Sequence, residues 1–367
     1  MTHQPGELLA HEEITTALKG ARAFKVRYTS LDTNNAATES TGLVIAPSAP
    51  GSNRPVVTWL HGTTGFGDAA CPSAQPDPAR ELTLYFDYRD ATQIDYGFPH
   101  VQSFIDDGWV ICATDYQGQG TPGVHQYTVN RTNGRDGLYI VHAAKSLNLG
   151  MGTEVAGAGW SQGGGAVAGL AELDPQEYGD LNLFAIVAFS PGVAAAALKA
   201  GSGAGMADPN TPPTSHPFML IAGLAAAFPD KLKMEDLLTP LGVEIAQTTF
   251  DTLPTHHLDG ALARAFHHNG AILRKDPQNL PAWEAAIMAS SAGQKKPVCP
   301  VLICEDLANP PGQFPCPLPW QDGYAAMIQG FGGEVTVRKY PNDDHFSLCG
   351  TSMPDAKAWL ESIRPKA

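Results

Sequence analysis

The stretch "GAGWSQGGG", Gly157 to Gly165, sets five glycines around a single serine, Ser161. Gly–Ser runs are common in loops, so the flanks decide what this one means. Ahead of it, "TEVAGAGW" is apolar and uncharged after Glu154 and reads as a strand. Behind it, "QGGGAVAGLAEL" reads as a helix of small residues that ends near "DPQEY". Gly159-x-Ser161-x-Gly163 therefore falls at a sharp strand-to-helix turn. Such a turn holds its serine in sparsely populated dihedrals, and a Cβ two residues to either side would strike neighbouring backbone. The N–H of Gln162 then opens a helix and faces the place where an oxyanion develops. Ser161 is expected to be a nucleophile, not a loop serine.

Working outward, "AFKVRYTS" and "TGLVIAPS" alternate as opening antiparallel strands. Apolar runs follow: "PVVTWLHG", "WVICATDY", "EVAGAGW", "LFAIVAFSPG", "PVLICED" and "EVTVRKYP". The stretches "HVQSFIDDG" and "DGLYIVHAAKSL" between them repeat apolar residues at helical spacing. Strands alternating with helices imply a mostly parallel central sheet covered by helices on both faces, and with the serine turn this is the α/β-hydrolase fold. From Gly192 to Lys296 the text becomes rich in Ala, Pro and His, with helical patches and no convincing strand. The expected organisation is a core in two parts, residues 1–191 and 297–367, with residues 192–296 inserted as a helical cap or lid. Within that insertion, "FMLIAGLAAAF" (Phe218 to Phe228) either packs on a core or lines an acyl pocket.

Composition narrows the partners. The 367 residues are 43% hydrophobic and 16% charged, and 37 acidic against 23 basic residues leave a formal charge of −14. With no basic block, binding to nucleic acid or to an anionic membrane surface is disfavoured, and no nucleic-acid partner is expected. No apolar stretch is long enough for a membrane anchor. The N-terminal "MTHQPGELLA" has no basic region followed by an apolar one, which leads to an expectation of a cytoplasmic location. A secreted location is the alternative if a signal segment has been removed. Of six cysteines, Cys112 and Cys304 fall in strand-like runs and read as buried thiols. Cys71, Cys299, Cys316 and Cys349 fall in loop-like contexts, where one disulfide, Cys316 to Cys349 for example, is allowed but not specified. The "HHLDG" and "HHNG" pairs lack the spacing of a zinc site, so no metal is assigned.

A serine hydroxyl needs a histidine to take its proton and a carboxylate to orient that histidine. His345, in "EVTVRKYPNDDHFSLCG", is the one histidine of twelve that follows the final strand, and it is assigned as the base. The acid belongs after "PVLIC", where Glu305 and Asp306 are adjacent and Asp322 lies further along, on the expected helix. Asp306 is preferred, with Glu305 as the alternative. The second oxyanion donor is expected after "PVVTWL", from the N–H of Thr63. Thr64 and Asp68 in the same loop, Trp160 beside the serine and Tyr116 after "WVICATD" are further candidates for contact with substrate.

The longer stretches "WLHGTTGFGDAACPS", "ATDYQGQGTPGVHQYTVNRTNGRDGLYIVHAA", "GWSQGGGA" and "YPNDDH" resemble the secretory lipase family of α/β-hydrolases, the fungal lipase-A type and its bacterial relatives. The resemblance runs through about residues 54–191 and 298–360 and is weak in the insertion. It implies hydrolysis of carboxylic esters, a small-molecule ester substrate, no cofactor, a helical cap, and Ser161 and His345 as nucleophile and base. It departs at the acid: an ungapped comparison puts Asn309 where the family's aspartate stands. Acyl transfer or amide cleavage by the same residues is a second reading. A non-catalytic binding protein on this scaffold, suggested only by Asn309, is a third.

Overall fold

The structure, a computed structural model, describes residues 3–81, 97–201, 208–249, 252–309 and 316–365. Its strands are β1 (Leu8–Ile14), β2 (Ala21–Leu31), β3 (Ala37–Pro47), β4 (Arg54–Leu60), β5 (Val110–Thr114), β6 (Met151–Trp160), β7 (Asn182–Phe189), β8 (Val301–Asp306) and β9 (Val335–Tyr340). They form one sheet in the order β1-β2-β3-β5-β4-β6-β7-β8-β9. The first four in that order pair antiparallel, and every later neighbour pair, from β5–β4 onward, is parallel. β2 and β3 match the expected opening pair. β1 was not foreseen: its sequence, "LLAHEEI", is polar at the positions a strand signal needs, because it forms the sheet edge and stays mostly in water.

The helices α1 (Val101–Asp106), α2 (Asn130–Ala144), α3 (Gln162–Leu170) and α4 (Pro175–Tyr178) fall between these strands. The "DPQEY" segment does not simply end α3. Asp174 caps α4, which has Pro175 at its first position, and the Glu177 side chain returns the capping bond. Between β7 and β8 the described chain forms α5 (Ala194–Lys199), α6 (Ser215–Ala227), α7 (Pro240–Thr249), α8 (Thr255–Asn269) and α9 (Leu280–Ser290). Helices α10 (Leu318–Gly330) and α11 (Leu348–Ile363) close the chain.

Two apolar layers cover the sheet. One gathers Val44, Leu60, Ile140, Val167 and Ile303, with α2 and α3 over the sheet. The other gathers Trp59, Phe104, Trp109, Phe189 and Met353, with α1 and α11. A strand buried on both faces needs apolar residues throughout, which is why β6 and β7 read as continuous apolar runs. The helices between β7 and β8 build a third cluster around Phe218, Ile221, Leu224, Leu258 and Trp283. Most of the "FMLIAGLAAAF" stretch is thus packing in α6. Leu220 is the exception, because it also reaches the cavity described below.

The two ends of this helical insertion are fastened together and to the core. The N–H of Gly192 donates to the carbonyl of Ser161 at 2.8 Å. The N–H of Ala195 donates to Ser291 Oγ at 2.9 Å, and that of Ala292 to Asn130 Oδ1 at 3.0 Å. Buried Glu172, just past α3, accepts from the N–H groups of Gly293 at 2.7 Å and Gln294 at 3.1 Å.

Candidate active site

Ser161 stands where β6 turns into α3, with φ +59° and ψ −115°, a conformation that side chains rarely adopt. The glycines around it make the turn possible. A Cβ on Gly163 would lie 1.9 Å from the Leu60 carbonyl oxygen, and one on Gly159 would lie 2.1 Å from that of Gly163. Gly163→Ala is accordingly expected to cost about 3 kcal/mol through forced backbone movement. For a chain of this length that corresponds to a thermal midpoint lowered by roughly 4 °C. A melt that matches the unsubstituted protein would show that the turn yields at little cost.

Three chain segments far apart in sequence meet at this serine. His345 follows β9, and its Nε2 is 2.9 Å from Ser161 Oγ. Asp306 is the last residue of β8, and its Oδ2 is 3.4 Å from Nδ1 of the same ring. Ser161, His345 and Asp306 are all buried. The carboxylate is held from its other sides. Asn309 Nδ2 donates to its Oδ2 at 2.8 Å, and Gln321 Nε2 to its Oδ1 at 2.5 Å. Burial pushes the Asp306 carboxyl upward, but the hydrogen bonds from His345, Asn309 and Gln321 together outweigh burial and leave it below its usual range. The ring is steadied through its backbone as well. The His345 N–H donates to Asn309 Oδ1 at 2.8 Å, and Trp160 Nε1–H donates to the His345 carbonyl at 2.9 Å.

The other acid candidates lie elsewhere. Glu305 precedes Asp306 in β8, and successive strand side chains leave opposite faces of the sheet. It is buried against the Lys339 ammonium at 3.0 Å, and burial raises its carboxyl above the usual range. Asp322 lies on α10, half exposed, 3.3 Å from the same ammonium. Asn309 brackets Asp306 and the His345 backbone and makes no contact with the ring nitrogens among the described hydrogen bonds.

A cavity of about 570 Å³ opens over the serine, lined by Ser161, Gln162, Tyr127, His216, Leu220 and Cys316 among others. The Gln162 N–H is the first of α3 and has no intrahelical acceptor. Its side chain is anchored by a residue that sequence reasoning passed over. His125 is fully buried, and burial drives its imidazole down to about 3, so the ring is neutral. Its Nδ1 donates to the Gln117 carbonyl at 3.0 Å, which leaves Nε2 to accept from Gln162 Nε2 at 2.7 Å. Nothing in "GVHQY" marks that histidine, since its partner lies 37 positions away.

Thr63 follows β4, with its hydroxyl 2.7 Å from that of Tyr127. Thr63, Thr64, Asp68, Trp160 and Tyr116 are not among the residues that line the cavity; they hold its surroundings. Thr64 accepts from Gln119 at 3.1 Å, Asp68 from the Gly120 N–H at 2.9 Å, and Tyr116 donates to the His61 carbonyl at 2.9 Å. The "DYQGQGTPG" stretch is fixed by two buried carboxylates. Asp115 accepts from Thr41 and Ser73, and Asp136, which burial raises to about 7, accepts from Ser30 and the Gln117 N–H.

Cys316 and Cys349 are not joined in a disulfide, and none of the six cysteines forms one. Cys316 lies at the cavity beside Ser161, whereas Cys349 is buried within α11. Among the described residues, no three His, Cys, Asp or Glu side chains are grouped to hold a metal ion.

Comparison with known proteins gives these residues a context. The family model described as Secretory lipase matches residues 89–363, well over half of the chain. Among solved structures, a rice cell wall degrading esterase, LipA from Xanthomonas oryzae, is similar with a TM-score of 0.71 at 16% identity, covering 99% of this chain and 100% of that one. Candida antarctica lipase A in its closed state gives 0.72 at 15% identity, covering 99% of this chain and 84% of that one. A putative hydrolase from Legionella pneumophila gives 0.65 at 15% identity, covering 98% and 99%. At such identities the likeness establishes the α/β-hydrolase fold. No curated protein matches the sequence. The secretory description leaves the expected cytoplasmic location without support. No helix among the described residues is long and apolar enough to cross a membrane.

Proposed function

The chain belongs to the secretory lipase family of carboxylic ester hydrolases, and from that premise we propose that it works as a serine esterase through an acyl-enzyme. The observation that carries the mechanism is the series Ser161 Oγ, His345 Nε2 at 2.9 Å and, across the ring, Asp306 Oδ2 at 3.4 Å from Nδ1, below a cavity. Ser161 attacks the ester carbonyl while His345 takes its proton. Asp306 keeps the ring proton on Nδ1 and stabilises the imidazolium. The N–H groups of Gln162 and Thr63 hold the oxyanion of the tetrahedral intermediate. His345 then gives the proton to the leaving alkoxide, and the same steps with water release the acid.

In this reading residues 192–296 act as a cap inserted between the core parts 1–191 and 297–367. Leu220 and His216 of α6 form part of the wall that meets the substrate. A secreted enzyme is in keeping with the family's description.

A fluorophosphonate, which reacts only with an activated serine, tests the mechanism. The expected result is loss of ester hydrolysis in step with labelling of the peptide that carries Ser161. Labelling elsewhere, or full activity after Ser161 is labelled, would refute it.

A further inference from the structure

β7 ends at Phe189, and the next residue, Ser190, is fully buried with φ +43°, in the left-handed region. A residue before proline ordinarily prefers extended backbone, so this conformation ahead of Pro191 is doubly unusual. It is held in place from the neighbouring strand: the Ser190 N–H donates to the Cys304 carbonyl of β8 at 2.9 Å. The effect of the turn is to aim the hydroxyl at the triad. Ser190 Oγ is 2.9 Å from His345 Nδ1, closer than the Asp306 carboxylate oxygen at 3.4 Å.

Proton placement decides what this hydroxyl does. For Nε2 to accept the Ser161 proton it must carry none itself, so the neutral ring keeps its hydrogen on Nδ1. That single N–H faces two acceptors, the Ser190 hydroxyl and Asp306. A ring held by a carboxylate alone is free to tilt about that one contact. A second acceptor from a different strand fixes both its tautomer and its plane.

We propose that Ser190 is a positioning residue for His345: its hydroxyl shares the Nδ1–H with Asp306 and keeps Nε2 directed at Ser161. The inference rests on the serine mechanism proposed above. Ser190 does not line the cavity, so its contribution falls on the chemical step and not on binding.

Two variants separate the hydroxyl from the backbone turn. Ser190→Gly removes the hydroxyl and accepts positive φ without strain, whereas Ser190→Ala removes the hydroxyl and keeps the strain. Loss of a hydrogen bond to a group that becomes charged during catalysis is expected to lower kcat by about 10- to 100-fold in both variants. KM should be unchanged, and the rate of Ser161 labelling by a fluorophosphonate should fall by the same factor as kcat. If Ser190→Ala does not fold, Ser190→Gly alone gives the answer. A Ser190→Gly enzyme with undiminished kcat would show that only the turn matters and would overturn the proposal, as would a change confined to KM. Ser161→Ala distinguishes the two levels of the argument. If that variant stays active, the serine mechanism itself fails. If it is inactive while Ser190→Gly is unimpaired, only the role of Ser190 falls.

Discussion

Ser161→Ala is expected to lower ester hydrolysis by about 10⁶-fold, because binding and the oxyanion donors are all that remain once the nucleophile is gone. The fold should survive. The substitution removes one oxygen from a site that already holds a non-glycine residue at φ +59°, and the backbone bonds that brace the turn are untouched. Those bonds run from the Ser161 N–H to the Phe189 carbonyl at 2.9 Å, and from the Gly165 and Gly192 N–H groups to the Ser161 carbonyl at 3.2 and 2.8 Å. Turnover of p-nitrophenyl esters, measured beside a thermal melt, checks both halves. Near-normal turnover by a folded variant would sink the serine mechanism.

The second large effect belongs to Asp306. Asp306→Asn keeps the shape of the side chain but replaces the charge that stabilises the imidazolium, and it can present an N–H to Nδ1, which favours the wrong tautomer. A loss of about 10⁴-fold in kcat is expected. Glu305→Gln should change kcat only a few-fold at most, since Glu305 faces Lys339 and not the ring. A larger loss in Glu305→Gln than in Asp306→Asn would reverse the assignment of the acid. The sign of the pH dependence follows from the lowered carboxyl. Asp306 contributes to stability above the ordinary carboxylate range, and that contribution disappears as pH falls through its depressed value.

Local features were legible from residue order alone. The elbow around Ser161, the paired strands β2 and β3 and the run of buried parallel strands each announce themselves within about ten residues, through glycine spacing or apolar periodicity. His345 was legible because of its place after the last strand. Asp306 was legible only as a preference over Glu305, because the two are equally acidic neighbours and the register of β8 in the sheet decides which of them turns toward His345. Asn309 stands where the family's aspartate stands in an ungapped comparison, and in the structure it bridges the Asp306 side chain and the His345 backbone. Ser190 and His125 carry no signal of their own. Each matters only through a partner 155 or 37 positions away. β1 escaped because an edge strand in water need not alternate.

The fastening of the insertion's two ends has a consequence for how this wall of the cavity can vary. Gly192, Ala195, Ala292, Gly293 and Gln294 are tied at one place, through Ser161, Ser291, Asn130 and Glu172, so the helices between them form a loop whose closure is already secured. The chain-entropy cost of such a loop grows only with the logarithm of its length, about 0.6 kcal/mol for each doubling. Helices can therefore be lengthened, shortened or exchanged between the ties at small cost to the core, while the strands that carry Ser161, Asp306 and His345 keep their register. The wall over Ser161 is the part of the molecule that is rebuilt at least cost, and the clasp at its root is the part that must stay.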